Sequence, residues 1–363
     1  MKTSETSIIP SDSTQEWMKA LKVCGAHDIY HLPQYHLLAE KMGEGKAYLF
    51  FYHHNGEFAA LPFLLRPVSE IEGLETSPYN DISSVYGYPG ILSSIAKDSD
   101  SAEDFRIHFQ AELLRVFEQL SAVAFFSRTN PLLPNTWMLE GMAEIVPLST
   151  TIAIDLLKCN EEQLKQMTKG HKYDIRKAGK NGVIVEEDKT FHYIDDFIYI
   201  YNETMKRNNA AEHYYFPKEY YLHLKHCFGE SIKLYFAKFE GKAISASLFF
   251  IEGSIIQYHL SGSLPEFFYL NGAKLILDEV RRWGTQNGFS WLHLGGGVGS
   301  SEDSLFRFKA GFSKLRLQFQ IVRKIVDHDV YTELCCMRRK WALNNRHTLP
   351  ETNYFPAYRR PIK

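Results

Sequence analysis

Four stretches of this 363-residue chain carry residue types and spacings that could do chemistry. The first is KGHKYDIRKAGKNG, Lys169–Gly182. In a helix, Lys169, Lys172, Arg176 and Lys180 fall on one face at three- and four-residue intervals. Such a stripe could hold a phosphate or pyrophosphate, with Arg176 as a bidentate donor. The competing reading is a solvated cationic face. The second is LHLGGGVGSSEDSLFRFKAGF, Leu292–Phe312. Gly295, Gly296 and Gly297 let the backbone approach a ligand, and free amides there could bind a phosphate or an oxyanion; the plain alternative is a tight turn. Lys309 stands among Phe306, Phe308 and Phe312, where its charge could meet a developing oxyanion. It could equally be a snorkelling surface lysine.

The third is SPYNDISSVYGYPG, Ser77–Gly90, where Tyr79, Asn80, Asp81, Tyr86 and Tyr88 could line a polar pocket. A packed loop with structural tyrosines accounts for the same residues. The fourth is the start of a helix at Asn271 and Gly272, whose free amides could face a phosphate, as at any helix start. Tyr258 and His259 lie nearby in QYHLS; a lone strand histidine is more often structural than basic. Other chemistries have no support: there is no H-E-x-x-H, no clustered metal spacing, no G-x-S-x-G elbow, and no Lys-Ser or Lys-Thr after the glycines to make a P-loop.

The elements that must position these residues follow from periodicity. Residues 1–14 read as a disordered or extended lead-in. Helices are predicted over Gln15–Cys24 and from Pro33 to about Met42. Lys46–His53 and Glu57–Val68 read as strands joined by Asn55-Gly56, a hairpin signal. Pro62 suggests that the second strand is an edge or carries a bulge. A helix follows over about Ala102–Leu120, then a short buried strand, Ala122–Ser127. The later half repeats the order: strands Ile232–Phe239, Ala243–Ile251 and Ser254–Ser261, a helix over Asn271–Gln286, and a strand Ser290–Leu294 running into the glycines. The offset, roughly 170–190 residues, suits a duplicated domain. Between the halves, Pro147–Leu157 reads as an extended strand, and Asn160 as the N-cap of a helix with Gln163 three residues later. The predicted domains are 15–158 and 159–345, with a C-terminal tail over 346–363.

Bulk composition narrows the class. Hydrophobic residues are 45% and charged residues 23% of the chain, ordinary for a globular protein. A formal net charge of −2 argues against a dedicated nucleic-acid binder, so no DNA partner is expected. Five cysteines without C-x-x-C spacing support neither a disulfide framework nor a zinc site. No apolar run is long enough to span a membrane, and the N-terminus lacks a signal-peptide core. A cytoplasmic protein with at most peripheral membrane contact is the expectation.

Taken together, IDL at Ile154–Leu156, the basic segment, YNETMKRN at Tyr201–Asn208 and the glycine run with its Phe-Lys pair resemble the FemABX-like branch of the GNAT superfamily. The resemblance covers about residues 25–325. It implies an α/β fold of two tandem GNAT-like domains, and an enzyme that acylates an amine using acyl-CoA or aminoacyl-tRNA. It implies that Phe308 and Lys309 match the pair thought to stabilise the tetrahedral transition state, and that Arg176 matches a segment contacting acceptor phosphates. Two features depart from the family. Tyr201–Gly229 is too short for the long helical hairpin of some members, and Asn271-Gly272-Ala273 only echoes the GNAT pyrophosphate signature.

The expectation is therefore an N-acyltransferase acting by direct attack of an amine, with no bound cofactor and no metal. Acyl-CoA is the expected cosubstrate, and an amino sugar or a nucleotide- or lipid-linked cell-envelope precursor the expected acceptor. An aminoacyl-tRNA-dependent transferase is the alternative, and a non-catalytic nucleotide-sugar-binding module the rival from another class. The general base is open, with Asp81 and His259 as candidates.

Overall fold

The computed structural model describes residues 4–350 and 352–362, the side chain of His213 excepted. In chain order the elements are β1 (Ser4–Pro10), α1 (Thr14–Cys24), α2 (Pro33–Lys41), β2 (Lys46–His54), β3 (Glu57–Pro67), β4 (Asn80–Ser83), β5 (Leu92–Ser93), α3 (Ala102–Gln119) and β6 (Ala122–Arg128). There follow β7 (Glu144–Asp155), α4 (Asn160–Gln166), α5 (Lys169–Lys180), β8 (Ile184–Glu187), α6 (Ile194–Arg207), α7 (Lys218–Phe228), β9 (Ile232–Phe239), β10 (Lys242–Glu252) and β11 (Ile255–Ser263). The last are α8 (Gly272–Gln286), β12 (Trp291–Gly295), α9 (Ser304–Ala310), β13 (Arg316–Ile325) and α10 (His328–Asn344). The chain divides into two compact units, one of residues 1–148 with 319–363 and one of residues 149–318. These units do not coincide with the sequence-based spans: residues 319–345 pack with the first unit, where β13 pairs β6 and Leu334 of α10 joins a small core with Val68 and Val123.

The two units repeat one strand plan. In the first, β1, β2, β3 and β4 pair antiparallel in turn, α3 crosses over, and β6 returns parallel to β4 with β13 antiparallel on its far side. In the second, β8, β9, β10 and β11 pair antiparallel in turn, α8 crosses over, and β12 returns parallel to β11 with β7 antiparallel beside it. A parallel pair demands a crossover, and a single helix supplies it in each unit. The fold is thus mixed α/β, built of two halves that share one strand plan, as the repeated pattern implied.

Apolar spacing selects the buried faces. On α3, Phe105, Phe109, Leu113, Val116 and Phe117 recur at helical intervals and all are buried, in a core shared with Phe50, Leu61, Phe63 and Phe125. On α8, Ile276, Leu277 and Val280 bury against Ile154, Phe249, Ile256 and Leu292.

Of the two readings of the lead-in the extended one holds: Ser4–Pro10 is a strand that pairs in register with residues 48–54, while residues 1–3 lie outside the described set. Two local expectations are corrected. Pro62 marks neither an edge nor a bulge. It pairs with Leu49 in regular register, and on the other side of β3 the partners β5 and β4 cover only residues 59–60 and 64–67, so no ladder bond is asked of it there. The cap of α4 is Cys159, not Asn160; the Cys159 N–H donates to Glu162 Oε2 at 3.3 Å.

Candidate functional site

In the second unit, β12 (WLHLG) is a buried apolar strand interrupted by one polar residue, His293. The strand ends at Gly295, whose φ of +75° lies in the left-handed region that favours glycine. Gly297 is demanded by crowding: a Cβ there would lie 2.0 Å from the Ser301 carbonyl oxygen. The chain then enters α9, capped by Asp303, whose Oδ1 accepts from the Phe306 N–H at 2.8 Å. One turn on, Lys309 points back to the glycine run. Its Nζ donates to the Gly296 carbonyl oxygen at 2.6 Å and lies 5.9 Å from the centre of the Tyr258 ring.

Lys309 is only 8% exposed, so it does not snorkel. Burial pushes its pKa down from 10.5 to about 8, against the opposing pull of the Asp303 carboxylate. It is therefore still mostly protonated at neutral pH and offers N–H donors beyond the one spent on Gly296. Beneath it, His293 is fully buried between Gln257 Oε1 at 2.8 Å and Thr151 Oγ1 at 2.9 Å. Burial, and then the Lys309 charge, push the His293 pKa down to about 3, so the ring is neutral. The Tyr258 hydroxyl bonds Ser261 and Ser247, and burial raises its pKa. Lys309, Gly296 and Tyr258 are thus brought together by the fold, on a bed of neutral hydrogen-bonding groups.

Phe308 plays a different part. Its carbonyl lies 2.8 Å from His171 Nε2, and its ring meets Phe312 edge-on at 5.6 Å. His171, in the first turn of α5, also lies 3.2 Å from Thr168 Oγ1 through Nδ1 and packs edge-on against Phe312 at 4.8 Å. Gly311 has to be glycine because a Cβ would sit 2.1 Å from that imidazole. The His171 ring therefore ties the start of α5 to the helix that carries Lys309. The stripe itself is formed: Lys169, Arg176 and Lys180 are exposed and Lys172 half-buried. Among the described residues none of the four has an acidic partner; Arg176 Nε donates only to the Lys172 carbonyl at 3.1 Å, and Asp174 is taken by Lys274 at 2.5 Å.

The other sequence candidates sit elsewhere or are otherwise engaged. Asn271 adopts φ +55° and its Nδ2 donates to the Tyr269 carbonyl. Gly272 is fixed by packing, since a Cβ would fall 2.7 Å from Ser245 Oγ. His259 lies over Phe250 at 4.4 Å, and burial lowers its pKa to about 3, too low for a base at neutral pH. In the first unit, Asp81 is fully buried and its two carboxylate oxygens are held by Arg66, at 2.6 Å, and by Arg359. With both oxygens bound to guanidinium groups it is not placed to accept a proton. Asn80 Nδ2 donates to the Leu120 carbonyl at 2.9 Å, and Tyr79 packs partly buried against the small core that contains Val68 and Val123. A cavity of about 330 Å³ in this unit, among Pro350, Thr352, Tyr354, Arg360 and Pro361, holds none of the candidates.

Sequence reading missed His293, Gln257, Thr151 and His171. A histidine inside an otherwise apolar strand was the signal that could have found His293, because a buried polar ring needs partners. His171 had none, since its role depends on a contact with a residue 137 positions away.

The FemAB family model matches residues 138–243. No curated protein matches the sequence. Among solved structures, FemX superposes with a TM-score of 0.68 at 14% identity, covering 91% of this chain and 99% of that one. L-PGS from Bacillus licheniformis gives 0.53 at 13% identity, with 91% and 97% coverage. The C-terminal domain of a protein named as a lysylphosphatidylglycerol synthetase from Agrobacterium fabrum gives 0.50 at 12%, with 85% and 91% coverage. The chain thus carries a FemAB family match over residues 138–243 and has the fold of FemX.

Proposed function

We propose that the protein is a FemAB-type aminoacyltransferase, in which an acceptor amine attacks the ester carbonyl of an aminoacyl-tRNA. The observation that carries this reading is Lys309, a buried and mostly protonated ammonium fixed on the Gly296 carbonyl at the end of β12. When the amine adds to the carbonyl carbon, negative charge grows on the carbonyl oxygen. A preorganised ammonium in a low-dielectric setting stabilises that oxygen more than it stabilises the neutral ester. The ester C–O bond then breaks, the tRNA hydroxyl leaves with a proton, and the new amide keeps the acyl group. No covalent enzyme intermediate is required. Phe308 positions Lys309 through the contacts of its ring and carbonyl.

Two observations favour aminoacyl-tRNA over the acyl-CoA donor expected from the sequence. The unneutralised stripe of Lys169, Lys172, Arg176 and Lys180 suits a polyphosphate backbone, whereas Gly272 is spent on packing against Ser245 and Ala237. One protein of similar fold also bears the name lysylphosphatidylglycerol synthetase, and a lysyl group is an aminoacyl group. The deciding experiment is binding of tRNA and of acetyl-CoA by the purified protein over a salt series. Saturable tRNA binding with a steep negative log–log salt slope is expected. Saturable acetyl-CoA binding with no tRNA binding would return the donor to acyl-CoA.

A further inference from the structure

The other arginines drawn into the interior are tied to oxygen atoms. Arg66 and Arg359 hold Asp81, Arg281 holds Asp278 and Gln163, and Arg338 holds the Glu72 carbonyl. Arg128, the last residue of β6, is different. Its backbone N–H donates to Ser84 Oγ at 3.0 Å, but among the described residues its guanidinium makes no hydrogen bond and no ion pair. It lies against two aromatic rings, 5.7 Å from the centre of Tyr86 and 5.3 Å from that of Phe126. Burial lowers its pKa against the opposing pull of Tyr86 and Glu44, and among the described residues Glu44 makes no ion pair with it. A desolvated cation without a counter-ion is costly. Ring faces offset part of that cost but leave the five N–H donors of the fork unanswered.

The rings beside it are held in place. Tyr86 is 56% exposed, which is unusual for a tyrosine in a tightly anchored loop. The loop cannot slide at Gly87, where a Cβ would meet the Tyr30 ring at 2.2 Å. Asn130 fixes its far side, with Nδ2 donating to the Tyr88 carbonyl at 2.8 Å and to Asp28 Oδ2 at 2.9 Å. Arg128 itself remains partly reachable by solvent. A rigid, half-open cradle with an unanswered planar donor fork has the chemistry of a receptor for a planar or tetrahedral oxyanion.

We propose that Arg128, flanked by Tyr86 and Phe126, binds an oxyanion, a carboxylate or a phosphate, carried by the acceptor. That the anion belongs to the acceptor rests on the transferase reading above; the binding of an anion does not. The test is calorimetric titration of the full chain with inorganic pyrophosphate and, separately, with succinate. Wild type is expected to bind one of the two saturably, and which one identifies the anion as phosphate or carboxylate. Arg128→Gln should weaken that binding at least tenfold, and Arg128→Lys should fall between, because it keeps the charge and loses the fork. Tyr86→Ala, at a largely exposed side chain, should weaken it several-fold. The double variant Lys172→Gln/Arg176→Gln, which alters the basic stripe, should bind at Arg128 as wild type does. Absence of saturable binding of both probes to wild type overturns the proposal. So does unchanged binding in Arg128→Gln, or a loss that follows the stripe variant instead. None of these readouts involves turnover, so failure here is separable from failure of the transferase reading.

Discussion

At the residue scale, the account turns on one buried lysine. Removing its charge with Lys309→Met should lower turnover by about 10²–10³, the scale of a lost oxyanion donor, while circular dichroism stays unchanged. Because Lys309 must be protonated to act, log kcat should fall as pH rises through about 8, a limb absent from Lys309→Met. Stability carries an independent signature. Below about 8 both the folded and the unfolded chain hold the proton, and the folded state bears the burial cost. Between about 8 and 10.5 the unfolded chain alone stays protonated, so stability should rise with pH across that window. Chemical denaturation of wild type and Lys309→Met at pH 7 and pH 10 checks this, and only wild type should gain. The lysine was visible in the sequence through its three phenylalanine neighbours. Its hydrogen bond to Gly296 was not, because it depends on how α9 turns back on the glycine run, nor was its neutral bed of His293, Gln257 and Thr151, whose contacts join β7, β11 and β12 across long stretches of chain.

At the scale of elements, α5 and α9 act as a joined pair. Gly311→Ala would drive a methyl group into the His171 ring, and overpacking of this kind costs about 1–3 kcal/mol. The expected outcome is a lower melting temperature and lower turnover, with tRNA affinity retained, since the stripe on α5 is untouched. Glutamine at Lys169, Lys172, Arg176 and Lys180 together should do the reverse: it should flatten the salt slope of tRNA binding by up to about 0.7–0.9 for each phosphate no longer neutralised and leave melting unchanged. Helical spacing by itself placed the four cations on one face, and strand alternation with turn residues located most of the meander. What spacing could not convey was Pro62 within a paired strand, or the strand at Ser4–Pro10. Both depend on which neighbours a strand finds on each side, a property of topology rather than of local pattern.

For the whole molecule, the repeated plan of meander, crossover helix and parallel return strand was legible as a pattern of elements, although the residues of the two halves do not visibly repeat. Less legible was that residues 319–363 pack with residues 1–148. That return is anchored by Arg359 on the buried Asp81; Arg66 still holds the other carboxylate oxygen when Arg359 is removed, so the cost stays below the ~3–5 kcal/mol of a buried charge left unpaired. Arg359→Met should therefore lower the melting temperature, although Arg359 lies 278 residues from Asp81 in sequence.

The most direct test of the central claim uses hydroxylamine as a small surrogate amine. The purified protein is incubated with a radiolabelled aminoacyl-tRNA mixture, and aminoacyl hydroxamate is measured over the uncatalysed rate for wild type and Lys309→Met. The account predicts acceleration by wild type with at least one aminoacyl-tRNA, reduced about 10²–10³ in Lys309→Met. No acceleration with any aminoacyl-tRNA, or equal acceleration by the two proteins, would contradict it.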